Sequence, residues 1–136
     1  MRLFASKITV INAHRDTITR EMMYFNTVLE NCMIRKKVDT SPTNDTLNTV
    51  DYYSITIPLQ NGYINPYNYH KLPNDQMQNY WTLDTQEDLI ILGEYKETVT
   101  DLDYEKLLKR DDVGIIRSVS DNTTVPLLRH WKVIAK

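Results

Sequence analysis

Short β-rich runs, each closed off by turn formers, recur along this chain, and only one segment carries a well-signed helix. Residues 7–11 (Lys-Ile-Thr-Val-Ile), 52–57 (Tyr-Tyr-Ser-Ile-Thr-Ile, stopped by Pro58), 89–92, 115–119 and 130–134 read as strands. Their β-branched and aromatic side chains suit a pleated, half-buried surface. A turn at His14-Arg15-Asp16 leads into an extended segment, residues 17–24, and residues 24–38 read as a further strand despite some helical spacing. Residues 80–83 read as a short buried strand, joined to 89–92 by the acidic turn 84–88.

The one helix is signed at both ends. Thr100 can cap it, Asp101 and Asp103 fall in the first turn where the helix dipole favours anions, and Val99 can staple to Tyr104. Tyr104, Leu107 and Leu108 form an apolar stripe, and Lys109-Arg110 close the last turn. About seven strands that do not alternate with helices disfavour a doubly wound sheet. The expected fold is mainly β, a small antiparallel barrel or sandwich with one short helix in the C-terminal half. Its 136 residues suffice for a single domain spanning 1–136.

Residues 40–50 (Thr-Ser-Pro-Thr-Asn-Asp-Thr-Leu-Asn-Thr-Val) interrupt this pattern with turn formers and small polar groups. They read as a flexible polar loop, longer than an ordinary connection. Residues 59–79 form a second irregular stretch, which carries Tyr63, Tyr67 and Tyr69. Tyrosine in a long loop suits a protein interface, so these three are the interface candidates.

No chemistry is announced. His14, His70 and His130 lie far apart without ligand-spaced partners, so no metal site is expected. With Gly62, Gly93 and Gly114 the only glycines, no glycine-rich phosphate cradle can be built, and no cofactor is expected. No serine has a nucleophile-elbow context, and His14-Arg15-Asp16 lacks every other element of a kinase. Asp84, Glu87 and Asp88, like Asp111 and Asp112, read as solvating acids in turns. Cys32, the only cysteine, precludes an internal disulfide and sits among residues that suggest burial. A net charge of −2 counts against bulk attraction to nucleic acid or anionic membrane. No run approaches the roughly 18 apolar residues of a membrane helix, and the first residues do not read as a signal peptide.

The order of these features resembles a family of small virion proteins of phages and prophages of Gram-positive hosts, encoded near head–tail joining genes. The resemblance is carried by the opening Lys-Ile-Thr-Val-Ile and by Tyr-Tyr-Ser-Ile-Thr-Ile-Pro (52–58) and Tyr-Trp-Thr-Leu (80–83). Asp-Leu-Ile-Ile-Leu-Gly-Glu (88–94), the acidic-start helix and Ile-Ile-Arg-Ser-Val-Ser-Asp-Asn (115–122) follow, and Leu-Arg-His-Trp-Lys-Val (128–133) closes the match. It implies a head-closure or stopper subunit, a small β-barrel that forms a ring between the portal-adaptor assembly and the tail. The implied partners are neighbouring copies in the ring, portal or adaptor and tail proteins, and DNA that passes through the lumen without specific binding. The implied location is the virion, assembled in the bacterial cytoplasm, with no membrane and no catalytic residue. Loop residues Asn44, Asp45, Thr46, Leu47 and Asn48 are the channel candidates, although the loop is longer here than in the family. Two alternatives stand beside this reading: a tail-completion ring component, and a single-stranded nucleic-acid-binding barrel that uses the tyrosines with Arg35-Lys36-Lys37.

Overall fold

The structure is a computed structural model that describes residues 6–43, 46–85, 87–124 and 129–136, with residues 38–43 and 46–50 described by backbone alone. Six strands form a closed antiparallel barrel in the order β1-β2-β3-β6-β5-β4. They are β1 Ser6–Arg15, β2 Met22–Thr43, β3 Thr46–Pro58, β4 Leu89–Leu92, β5 Val113–Asn122 and β6 His130–Ala135. One turn of helix, α1 (Pro66–Tyr69), lies between β3 and β4, and α2 (Asp101–Leu107) lies between β4 and β5. Closure removes the exposed edges that a sandwich would leave.

Two irregularities turn the corners of the barrel. β2 pairs first with β1 and then with β3, and the change falls at a bulge where Ser6 faces Cys32 but Ile8 faces Leu29. There Glu30 and Asn31 of β2 stand against the single Lys7 of β1, and the φ of Asn31, 60°, is left-handed. β5 switches from β4 to β6 at a second bulge, between Ile116 and Ser118. Just before it, Gly114 runs against the end of β6: a Cβ at this position would lie 2.9 Å from the Lys136 nitrogen. No other residue fits so close to that backbone without moving it.

Apolar runs in β1 and β4 follow from burial on both faces. Ile8, Val10 and Ile90 point into the barrel with Leu29, Ile55, Ile57, Ile116, Trp131 and Val133. Ile11, Leu89 and Ile91 point outward and are covered by Val99 and Leu107 of the α2 segment. Thr100 caps α2 through a capping box, accepting from the Asp103 amide at 3.3 Å while the Asp103 carboxylate accepts from the Thr100 amide at 3.1 Å. Leu107 is buried as its stripe predicts, whereas Leu108 stays exposed.

Three expectations are corrected. Residues 17–24 are not extended throughout; Asp16 accepts from the amides of Ile18 and Thr19 in a tight turn, and pairing resumes at Met22. Residues 80–83 are not a strand. Trp81 makes a single parallel bridge to Tyr63, which leaves six strands among the described residues rather than about seven. Of the segment expected to be a flexible loop, residues 40–50, the described residues 40–43 and 46–50 are the paired end of a long hairpin, with Asp39 opposite Val50, Ser41 opposite Asn48 and Thr43 opposite Thr46. Its composition carries little apolar area, but pairing is already fixed from Met33 opposite Thr56 onward. Each further pair then closes at almost no additional loop entropy.

Candidate functional site

Around residues 65–88 the fold assembles polar groups that are scattered in sequence. Asn12 is fully buried on β1, between Ile11 and Ala13. Its amide donates to the Thr82 carbonyl at 2.7 Å and accepts from the Thr82 amide at 3.2 Å. A side chain thus satisfies the backbone of the segment that fails to become a strand. The same Asn12 amide donates to Asp88 Oδ2 at 2.8 Å.

Asp88, just before β4, is 1 % exposed and accepts three N–H donors: Asn12, the Ala13 amide on Oδ1 at 3.0 Å and the Asp84 amide on Oδ2 at 3.2 Å. Burial pushes its carboxyl up to about 7, against the pull of the Ala13 and Asn12 donors toward the ionised form. Desolvation is the larger effect.

Next to this network, His14 Nδ1 meets His70 Nδ1 at 2.9 Å, with the rings stacked 5.1 Å apart. His70 is set in place by α1, which starts at Pro66 and is capped by Asn65 accepting from the Asn68 amide at 2.9 Å. On its other side, His70 Nε2 lies 3.1 Å from Asp84 Oδ2. Burial first, and the facing His70 second, hold the His14 imidazole below the usual histidine range. Ala13, His70, Asp84, Thr85, Glu87 and Asp88 line an adjoining cleft of about 360 Å³.

Chemically, Asp84–His70–His14 can hold and relay a proton. Among the described residues no serine or cysteine hydroxyl or thiol bonds to His14 or His70, and no group of three or more His, Cys, Asp or Glu is arranged around a metal position. Sequence reasoning missed this cluster, since 56 residues separate the two histidines. The one local hint is a lone Asn set within an apolar run, at Asn12.

The interface candidates divide. Tyr69 is fully buried and Tyr63 is partly buried in the core against Trp131 (4.5 Å) and Trp81 (5.1 Å), which corrects their reading as surface anchors. Apolar rings in an irregular stretch can serve the core whenever that stretch folds back over a barrel. Gly62, at φ 92°, lets the chain make this return with Trp81 packed against it. Only Tyr67 is exposed, at 72 %, with Lys71 Nζ 3.8 Å above its ring. Of the channel candidates, Thr46, Leu47 and Asn48 are backbone-paired in β3 with Thr43, Pro42 and Ser41, while Asn44 and Asp45 lie outside the described residues. Cys32 is buried and its thiol is pushed up to about 12 by desolvation, as its surroundings suggest.

A family model described as a family of unknown function, DUF6751, matches residues 3–136. The chain belongs to that family. No curated protein and no solved structure matches it. The DUF6751 match spans the whole barrel, from β1 to β6, together with the His14–His70–Asp84 cluster.

Proposed function

We propose that this DUF6751 protein is a structural subunit of a tailed-phage neck, one copy of a head-closure or stopper ring between the portal-adaptor assembly and the tail, and not an enzyme. The observation that carries the reading is the β2–β3 hairpin. Among the described residues, β1 pairs with β2 as far as Cys32, and β6 pairs with β3 as far as Tyr53. Beyond Lys37 opposite Tyr52, the two strands run on to Thr43 and Thr46 and, among the described residues, have only each other as ladder partners. A two-stranded ribbon is marginal by itself in water. An arm of this kind is explained by a surface outside the subunit on which it rests.

The rest of the molecule suits such a part. A closed barrel around a packed core is rigid, and heterologous contacts between identical barrels close into a ring when the rotation permits. In this reading the ribbon carrying Thr46, Leu47 and Asn48 reaches toward the lumen or the adjoining ring, and Tyr67 is the remaining aromatic contact. DNA passes a mildly acidic wall without being gripped. The nucleic-acid-binding alternative has less support, because Tyr63 and Tyr69 are turned into the protein and Lys36 lies 3.7 Å from Asp51.

The test replaces residues 40–49 by Asn-Gly, a turn that recloses the hairpin between Asp39 and Val50, which already face each other. The purified variant is expected to keep the wild-type circular dichroism and melting temperature. Particles that carry a neck but no tail are expected to lose packaged DNA several-fold faster than wild type. Retention of the genome at the wild-type level would contradict a closing role for the arm.

A further inference from the structure

We propose that the His14–His70 contact is an acid-released latch that holds residues 65–84 against β1. The inference stands on side-chain geometry and does not depend on the neck assignment. Two imidazole nitrogens 2.9 Å apart require one proton between them. His70 donates its Nε2–H to Asp84, which leaves its Nδ1 bare to accept from His14. One added proton is tolerated, because a charged ring still donates to a neutral one. A second places N–H against N–H, and the contact opens. The contact therefore opens only on the second proton, and the depressed His14 sets that event on the acid side of the ordinary histidine range.

Among the described residues the surroundings do not supply a substitute partner. On β1, Asp16 accepts from Ile18 and Thr19 and from Asn74 Nδ2 at 2.8 Å, and Arg15 donates to the Arg20 carbonyl at 2.8 Å. On the side of α1, Tyr69 packs edge-on to His70 at 5.5 Å, and Lys71 is engaged over Tyr67. From the connection to β4 come Asp84, which accepts from His70 Nε2, and Glu87 and Asp88 on the cleft wall. Opening uncovers Tyr69 and Met77, both fully buried when the latch is closed.

The sign follows from His14, whose folded value is depressed. Its contribution to stability is complete above the unfolded value near 6.5 and is lost as pH falls below it. His14→Asn isolates the effect, since an asparagine amide reaches about where Nδ1 lies and can donate to His70 without ever carrying charge. Hydrogen exchange, corrected for the intrinsic pH dependence, is followed for the amides of Tyr69, His70 and Leu72 from pH 7.5 to 4.5. Wild-type protection at these amides is expected to fall at least tenfold while that of β3 and β6 holds, and His14→Asn is expected to keep its protection. Histidine ¹⁵N spectra are expected to show His14 gaining its second ring proton over the same pH range in which protection is lost. Wild-type protection that is flat with pH, an equal loss in His14→Asn, or a His14 ring that stays neutral down to pH 4.5 would each overturn the latch.

Discussion

Trp131→Ala is expected to lower the free energy of unfolding by about 3–5 kcal/mol, the range for an emptied aromatic site in a core. Trp131 stands on β6 at 3 % exposure, opposite Ile57 of β3 and Asp121 of β5. Its ring is 5.3 Å from Trp81 and 4.5 Å from Tyr63, so truncation removes the member that joins the strands to the returning segment. The barrel cannot collapse into the space, because its radius is set by strand number and stagger. Trp131→Phe is a useful contrast. The Trp131 indole N–H is buried and has no hydrogen-bond partner among the described residues, so phenylalanine gives up area but no bond. Its cost is expected to be less than half that of alanine. Urea unfolding checks both. A Trp131→Ala protein with the wild-type midpoint would remove this ring from the core.

Asp88→Ala is expected to cost roughly 3 kcal/mol at pH 5, because it strands the Ala13 and Asp84 amides and one Asn12 N–H, at about 1–3 kcal/mol for each buried donor left unpaired, offset by relief of the buried carboxyl. The cost depends on pH. With the folded value near 7 and the unfolded value near 4, Asp88 contributes its full stability below pH 4 and loses it as pH rises toward and through 7. The gap between wild type and Asp88→Ala is therefore expected to be wider at pH 5 than at pH 8. His14 acts in the opposite direction over the acid half of this window, so the wild-type profile alone separates neither group. A gap that widens with pH would show that hydrogen bonding, not burial, governs Asp88.

What the sequence disclosed was local. The β1, β4 and β6 runs and the capping box of α2 are each written within about ten residues, and each lies where its pattern predicts. Residues 80–83 look like a strand, but Asn12, 70 positions away, takes up the Thr82 backbone instead. Residues 40–50 look like a loop because their strand character depends on the register of the opposing half. Tyr69 looks like a surface ring because nothing nearby in sequence marks the cover that buries it. The same limit hid the polar cluster, since His14, His70 and Asp84 meet only after the barrel closes.

The account stands or falls on whether this protein is part of a particle. Phage particles induced from a host carrying the gene can be purified away from free protein and quantified by mass spectrometry against their portal and major capsid proteins. The neck reading predicts this chain in intact particles at a copy number comparable to the portal, and its absence from DNA-free proheads. Portal and capsid recovered in full without it, from cells that express it, would contradict the assignment.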